Sequence, residues 1–257
     1  MCERMRELAL RHPRYGYRRV AALLHRDGWR VNRKRVHRLW RREGLKVVQK
    51  QRKTRRIPDG SGDNACHRRR ALRPNHVWSL DFVHDRTAGG GAVKIFSVID
   101  EYTRECLAIE ARRHITGNDV VAVLEALMAL HGAPEHVRCD NGPEFLCRAI
   151  RRGLAESDVA TLYVAPASPW ENGYVESYHG RLRDELLNGE EFGSLAEARA
   201  LLEAWREQYN QEHPHSALGY LAPAAFAAAC RRRAEPGSAT LRRARHDEED
   251  VLESVAR

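Results

Sequence analysis

The stretch "VRCDNGPEF", residues 137–145, decides the fold. An apolar lead-in ends on Asp140, and the Asn141-Gly142-Pro143 that follows is rich in turn-forming residues. This pattern predicts a short strand that ends on a carboxylate, after which the turn leads the backbone away. In open sheets flanked by helices, working groups lie in the crevice at the carboxyl ends of strands. We therefore expect the Asp140 side chain to point into such a crevice.

Strand and helix patterns alternate on both sides of Asp140. Strand patterns cover residues 76–86, 92–103, 105–113, 135–142 and 160–166. Helix patterns cover residues 117–132, 144–157 and 170–189. The first three strands are joined by short links, which is typical of an antiparallel meander. The order β-β-β-α-β-α-β-α predicts an α/β fold, with helices on the faces of a mixed five-stranded sheet.

Charge divides the chain into a basic front and an acidic body. Residues 1–75 carry 24 Lys and Arg against 6 Asp and Glu, whereas residues 76–257 carry 20 against 29. A basic segment joined to an acidic body indicates that the front binds a polyanion and that the body has another task. The alternative is a basic segment that only adds solubility.

The front has the pattern of two short helices joined by a turn. In both helices apolar residues recur at i, i+3 and i+4, and Asp27-Gly28 separates them. Asn32 is the expected N-cap of the second helix, and Gly44 follows its end. The other face of that helix carries the candidate DNA-binding residues Arg33, Lys34, Arg35, Arg38 and Arg41. This pattern is typical of a helix-turn-helix, and the alternative is a solvated charged face on an ordinary helical hairpin.

Other features exclude several classes of protein. No apolar run approaches the ~20 residues that cross a bilayer, so we expect no membrane partner. The N-terminus is Arg-rich and has no apolar signal core, which predicts a cytoplasmic location. The six cysteines contain no C-x-x-C pair, so we expect reduced thiols rather than disulfides or a zinc site.

Two further acids stand where they could meet Asp140. Asp81 lies in the middle of the first strand pattern, which is a costly place for an isolated charge. Glu176 lies in the helix after the fifth strand and shares one helical face with Asn172 and Arg183. If the first and fourth strands are neighbours and this helix crosses them, the three carboxylates come together.

Three carboxylates at close range suggest a metal-dependent reaction. They repel one another unless a cation binds between them, and oxygen ligands suit Mg²⁺ or Mn²⁺. Two such ions about 3.5–4 Å apart can activate an attacking oxygen and stabilise the leaving one in a phosphoryl displacement. Each acid also has a structural alternative: Asp81 in a buried ion pair, Asp140 as the cap of its turn, and Glu176 as a surface charge.

Several motifs together resemble a known superfamily. Asp140 and Glu176 have 35 residues between them, and "WSLD", "CDNGPEF" and "NGYVES" stand in this order. This arrangement resembles the DDE transposase and retroviral-integrase superfamily, whose catalytic core is ribonuclease-H-like. More narrowly, "SPWENGYVESYHGRLRDELLNG" followed by "WREQYNQEHPHSALGYLAP" is similar to the second-reading-frame protein of the bacterial insertion-sequence-three transposase family. The resemblance covers residues 14–226, and the front helices match the helix-turn-helix-like segment that precedes the core in that family.

The resemblance implies roles for individual residues. The catalytic metal ligands that it implies are Asp81, Asp140 and Glu176. It implies that Arg183, seven residues after Glu176, contacts donor-end DNA, and that Asn172 and Asn141 flank the ligands or contact DNA. One departure is His213, where the family usually has arginine before "PHSALGY". The zinc-binding His/Cys head of retroviral integrases is absent from the sequence, so no zinc is expected.

The activity that the resemblance implies is DNA transposition. Such an enzyme uses Mg²⁺ to cut and join strands at element ends, with water or a DNA 3′-hydroxyl as the nucleophile. The implied partners are double-stranded DNA, further copies of the chain on paired ends, and an upstream-frame protein that frameshifting can fuse to it; the implied location is the bacterial nucleoid. Two alternatives stay open. One is a non-catalytic DNA-binding relic or repressor of the element, and the other is a ribonuclease-H-type nuclease that cleaves RNA–DNA hybrids.

These features divide the chain into five segments. They are a helix-turn-helix-like segment (1–45), a basic linker (46–75), the catalytic core (76–190), a helical extension (191–230) and a tail (231–257) expected to be flexible. In the extension, Ser194 and Glu197 have the pattern of a capping box, and Pro223 stands early in an Ala-rich helix.

Overall fold

The structure, a computed structural model, describes residues 1–47, 70–140, 142, 144–145, 147–164 and 172–234. Most of the predicted linker, the predicted tail beyond residue 234, and Asn141 lie outside the described residues. No helix in the described part of the chain is long and apolar enough to cross a membrane.

The front of the chain forms three short helices. They are α1 (Cys2–Arg11), α2 (Tyr17–Arg26) and α3 (Arg33–Arg42). The predicted pair is confirmed in α2 and α3: the Asn32 side chain accepts a hydrogen bond from the Lys34 N–H, and Gly44 turns with φ +66° after α3. Helix α1 was not predicted, although Met5 and Leu8 are apolar at i, i+3 and are buried against the other two helices.

A mixed five-stranded sheet forms the centre of the molecule and confirms the predicted fold class. The strands are β1 (Val77–Arg86), β2 (Ala92–Asp100), β3 (Cys106–Arg112), β4 (His136–Cys139) and β5 (Ala160–Tyr163). Their order in the sheet is β3-β2-β1-β4-β5. The first three strands form the expected antiparallel meander, and β1, β4 and β5 run parallel to one another.

Helices cover both faces of the sheet. They are α4 (Gly117–His131), α5 (Arg148–Glu156), α6 (Gly173–Leu182), α7 (Leu195–Glu212) and α8 (Pro223–Ala234). Side chains of α4 and α5 share a core with Trp78 and Leu80 of β1. Side chains of α6 and α7 share a second core with Val83, on the opposite face of the same strand.

Alternation along β1 fixes the face that Asp81 occupies. Trp78 and Leu80 are fully buried on the α4–α5 face, and burying one such side chain contributes about 1.5–3 kcal/mol. A slip of one residue would move both side chains to the other face and carry Asp81 into the apolar core. The hydrophobic pattern therefore holds Asp81 on the α6–α7 face.

Three predictions about helix boundaries are corrected. The helix pattern at 144–157 begins only at Arg148. The helix predicted over 170–189 is interrupted: α6 ends at Leu182 and a π-helical turn follows over Arg183–Leu187. At the start of α7, Ser194 accepts from the Glu197 N–H as expected, but the Glu197 carboxylate accepts from Gly193 N–H instead of closing the capping box on Ser194.

Candidate active site

The strand register brings Asp81 and Asp140 side by side. The parallel ladder between β1 and β4 pairs Ser79 with Arg138. Carried two residues further, the same register puts Asp140, directly after β4, opposite Asp81 in the middle of β1. Because side chains two apart on a strand share a face, both aspartates project to the face that α6 covers. Asp81 is half-buried and Asp140 is exposed.

Helix α6 brings Glu176 and His179 to the same face. Val175 and Tyr178 are buried in the core below α6, so the helix is fixed in rotation. His179 Nδ1 lies 3.2 Å from Asp81 Oδ2, which shows that this side of α6 lies against the aspartate. Glu176, one turn before His179, is exposed in the first turn of α6. The sequence alone gives His179 no role.

The three acids share a face, but their oxygens are not gathered into a closed cluster. Within the described ranges, the one group of three or more His, Cys, Asp or Glu whose ligand atoms all lie within 4.8 Å of one another is His76, Glu135 and His136. That group adjoins the amino ends of β1 and β4, away from Asp140. The site is therefore open, and residues 141, 143 and 165–171 next to it in sequence are not described.

The His76, Glu135 and His136 group is not prepared for a metal. His76 Nδ1 accepts a hydrogen bond from the Leu72 N–H at 2.9 Å, so a neutral His76 carries its proton on Nε2, the atom that faces Glu135. A metal-binding histidine instead donates from its second nitrogen. Arg73 already lies 2.9 Å from the other Glu135 oxygen. We interpret this group as an ion-paired corner of the sheet.

Gly142 leaves room between two carboxylates. A Cβ on Gly142 would lie 2.9 Å from Asp140 Oδ1 and 3.1 Å from Glu144 Oε2. The Gly142 N–H donates to Asp140 Oδ1 at 3.0 Å, and Lys94 Nζ lies 3.2 Å from Glu144 Oε1. The N–H of Glu144 itself and the Lys94 ammonium hold the pKa of Glu144 below its ordinary value. Glu144 and Lys94 were not singled out from the sequence.

A buried ion pair lies next to the two aspartates, on the side of the amino ends of β1 and β4. Arg138 Nε donates to Glu101 Oε1 at 2.8 Å, and Ser79 Oγ donates to the same oxygen at 2.5 Å. The Arg138 and Glu101 side chains are 5% and 0% exposed. Since Ser79 and Arg138 are register partners two residues before Asp81 and Asp140, this network fixes both strands directly beneath the site. Sequence reasoning missed it, because nothing in the local pattern of β4 marks an inward-facing arginine.

The remaining predicted site residues differ in their surroundings. Asn172 is buried at the start of α6, and its Oδ1 has no hydrogen-bond partner among the described residues. Arg183 is exposed at the first position of the π-helical turn. Both lie on the element that carries Glu176. Asn141 cannot be placed, because it lies outside the described residues.

Helix α3 presents the expected basic surface, with one exception. Lys34, Arg35, Arg38 and Arg41 are exposed, while Val36 and Trp40 on the other side are buried in the front core. Arg33 is also exposed, but its guanidinium lies over the Tyr220 ring at 5.1 Å. The helix therefore offers four cationic side chains to a partner and turns the fifth towards the extension.

Family models match both the front and the core of the chain. A model described as an integrase core domain matches residues 71–169, and a second model with the same description matches residues 157–223. A model described as an HTH-like domain matches residues 2–53. The helix-turn-helix prediction for the front is thereby confirmed, and so is the prediction of an integrase-type core.

Curated relatives are proteins of bacterial insertion elements. The chain is 40% identical over 241 residues to an uncharacterized 31.7 kDa protein of insertion element IS407 from Burkholderia multivorans, covering 93% of this chain and 84% of that protein. It is 28% identical over 216 residues to the putative transposase InsK of insertion sequence element IS150 from Escherichia coli, covering 82% of this chain and 76% of that protein.

Among solved structures, the chain is similar to the HTLV-2 integrase catalytic core domain in complex with magnesium. The overlap has 20% identity and a TM-score of 0.48, and it covers 61% of this chain and 99% of that chain. The fold assignment rests on the sheet order and on the family models rather than on this overlap. With its HTH-like front, its integrase core and its insertion-element relatives, the chain belongs to the insertion-sequence-three family of DNA transposases, in the second-reading-frame form.

Proposed function

We propose that the chain cuts and joins DNA strands at insertion-sequence ends, and that Asp81, Asp140 and Glu176 are its catalytic acids. The observation that carries this proposal is the common register of Asp81 and Asp140 on the sheet face covered by the helix of Glu176. Asp81 contacts His179 and Asp140 accepts from the Gly142 N–H, whereas the buried pair of arginine and acid next to them is Glu101 with Arg138.

The donor set fits a divalent cation. The candidate ligands are carboxylate oxygens, which suit Mg²⁺ or Mn²⁺, and the missing Cβ of Gly142 leaves space beside the Asp140 oxygens. Asp81, Asp140 and Glu176 would hold the metal, and we propose two ions. Bound there, the metal would supply Lewis-acid activation of the attacking oxygen and charge stabilisation of the leaving oxygen.

The side chains of the protein orient the DNA and the acids. His179 contacts the Asp81 carboxylate. Arg183 is exposed after α6, and we propose that it contacts a donor-end phosphate. In each step the oxygen of water or of a DNA 3′-hydroxyl forms a new bond to phosphorus. The bond from phosphorus to the leaving 3′-oxygen breaks in line with it, and the proton of the nucleophile passes to solvent. No side chain becomes covalently bound.

The test is a cleavage and joining assay with a matched variant. End-labelled DNA from the flanks of the reading frame is incubated with protein and Mg²⁺ or Mn²⁺, and the products are resolved. We expect metal-dependent nicking and joining by wild type, none by Glu176→Gln, and unchanged products for Glu190→Gln, an exposed control beyond the π-helical turn. Glu176→Gln that joins strands as wild type does, at saturating metal, would refute the acid assignment.

Partners in the reaction are proposed from the same family membership. Transposition must hold two element ends together, so we propose that two or more copies assemble on paired ends in the bacterial nucleoid. Light scattering of the complex with paired ends tests this, and one chain per pair of ends would contradict it. If wild type binds DNA but gives no product, repeating the assay with the upstream reading frame fused tests the proposed association, and binding still without product would favour a DNA-binding relic.

A further inference from the structure

Several basic residues of the front form ion pairs with acids of the rest of the chain. Arg14 Nη2 lies 2.8 Å from Asp184 Oδ1, Arg19 Nη1 lies 3.7 Å from Glu185 Oε1, and Arg11 Nη2 lies 3.0 Å from Glu212 Oε2. These three arginines lie in α1, at the start of α2 and in the loop between those helices. Part of the positive charge of the front therefore compensates acids of the same chain and is not available for phosphates.

A buried hydrogen bond lies at the centre of this contact. The hydroxyl of Tyr15 and Nδ1 of His213 are 2.8 Å apart, and the two residues are 4% and 1% exposed. His12 stacks on the Tyr15 ring at 4.4 Å, and the Arg19 guanidinium lies 5.0 Å from the same ring. Exposed ion pairs alone contribute little to binding, but this centre excludes water and is aromatic.

The bond joins two neutral groups. Burial raises the pKa of the Tyr15 hydroxyl well above its ordinary value. Burial, together with Arg19 and Arg181, lowers the pKa of His213 far below that of a free histidine. His213 is hydrogen-bonded to Tyr15, and the Glu185 carboxylate lies 3.8 Å from the same ring nitrogen.

The contact links the DNA-binding helix to the catalytic helix through rigid elements. Asp184 and Glu185 belong to the π-helical turn that continues α6, eight and nine residues after Glu176. On the other side, Arg19 belongs to α2, and α2 shares a buried core with α3. A continuous path of packed residues thus runs from α3 to the element that carries Glu176.

We propose that the front helices and the catalytic core are joined as one unit by a docking surface. On the side of the front this docking surface consists of Arg11, Arg14, Tyr15 and Arg19. On the other side it consists of Asp184, Glu185, Glu212 and His213. The docking surface sets the distance from α3 to Glu176. It therefore selects which phosphodiester bond, counted from the bound sequence, reaches the acids. This second part rests on the proposed function, whereas the docking itself does not.

The experiment uses the full-length protein and two readouts. Hydrogen–deuterium exchange is followed in peptides that cover residues 12–19 and 205–215. The cut position on end-labelled element DNA is mapped beside the DNA affinity. The variants are Asp184→Arg, the charge swap Asp184→Arg with Arg14→Asp, and the milder Tyr15→Phe. The swap Arg152→Glu with Glu156→Arg is the control, because that exposed pair lies within α5.

We expect Asp184→Arg and Tyr15→Phe to raise exchange at least tenfold in both peptides, and the Asp184–Arg14 swap to restore it towards wild type. The α5 swap should change nothing. In the undocked variants the joined product should fall at least tenfold or spread over several positions, while DNA affinity changes less than threefold.

The following results would each contradict part of the proposal. Wild-type exchange in both Asp184→Arg and Tyr15→Phe would overturn the docking surface. Raised exchange with unchanged cut positions and yield would overturn its role in selecting the bond. If wild type makes no product even with the upstream reading frame fused, the proposed function fails, and the exchange data alone then support or overturn the docking.

Discussion

His179 Nδ1 lies 3.2 Å from Asp81 Oδ2, although the two residues belong to a helix and a strand 98 positions apart in the chain. His179 is 6% exposed, and its Nε2 has no hydrogen-bond partner among the described residues. The contact orients a carboxylate that is only half-buried in the middle of β1. It also fixes α6, and with it Glu176, against the strand.

Replacing His179 should therefore disturb the reaction more than the fold. We expect His179→Ala to lower strand joining about 10–100-fold and to raise the Mg²⁺ concentration needed for half-maximal rate, since residues that orient metal ligands have effects of this size. His179→Asn should lose much less, because its amide can still donate to Asp81. DNA affinity, measured by anisotropy, should be unchanged in both variants, and equal loss in Ala and Asn would contradict an orienting role.

Gly142, which lies beside Asp140, gives a second test of the site. A methyl group there would lie 2.9 Å from Asp140 Oδ1 and 3.1 Å from Glu144 Oε2, so Gly142→Ala must push both carboxylates away. We expect at least a tenfold loss of joining with no change in melting temperature. Gly189→Ala is the control, because its added carbon would meet nothing closer than 3.8 Å. Full activity of Gly142→Ala would show that the Asp140 oxygens are free to move.

The ion pair beneath the aspartates should matter for stability. Arg138→Met leaves the Glu101 carboxylate in a site that is 0% exposed, and breaking a buried pair in this way costs about 3–5 kcal/mol. Denaturant unfolding should show this loss. The double variant Arg138→Met with Glu101→Leu should recover much of it, because it removes both charges. Arg152→Met, on the surface of α5, should change stability by less than about 0.5 kcal/mol.

Sequence patterns predicted the sheet because five short runs of strand-forming residues are separated by turn residues or helix patterns. They also singled out Asp81 and Asp140 as candidates, since an acid at a strand centre or strand end is visible in the sequence itself. They did not reveal the Glu101–Arg138 pair, whose members are 37 residues apart and are brought together by the pairing of β1 with both β2 and β4.

Other features depend on contacts between distant segments. The π-helical turn after Leu182 was read as plain helix, because Arg183–Leu187 has ordinary helical composition. The docking of the basic front on Asp184 and Glu185 was missed for a related reason. A count of charges shows an excess of arginine but does not tell which arginines face DNA and which face the core.

Helix α3 should account for the salt-sensitive part of DNA binding. Lys34, Arg35, Arg38 and Arg41 are exposed, so alanine at each of Arg35, Arg38 and Arg41 should reduce the slope of log affinity against log salt by about 0.9 per lost phosphate contact. Titrations at several salt concentrations measure the slope. Arg152→Ala on α5 is the control, and an unchanged slope in the triple variant would place the phosphate contacts elsewhere.

His213 should make folding sensitive to mild acid. Burial, with Arg19 and Arg181, lowers the pKa of His213. Between that lowered pKa and a pH of about 6.5, His213 is protonated in the unfolded chain and neutral in the folded chain. Stability then falls as the pH drops through 6.5, by up to about 1.4 kcal/mol per pH unit for this residue. His215, with a pKa lowered to about 3 by burial and Arg181, adds a term of the same sign. Glu185, whose pKa burial raises, acts in the opposite direction.

A comparison of variants separates His213 from these other groups. His213→Gln keeps an acceptor for the Tyr15 hydroxyl but cannot titrate. We expect the difference in unfolding free energy between wild type and His213→Gln to shift in favour of the variant by about 1.2 kcal/mol when the pH goes from 6 to 5. His114→Gln, at an exposed position, should show no such shift. A constant difference for His213→Gln would mean that the imidazole becomes protonated in the folded protein. In that case the bond to Tyr15 could not be one between neutral groups.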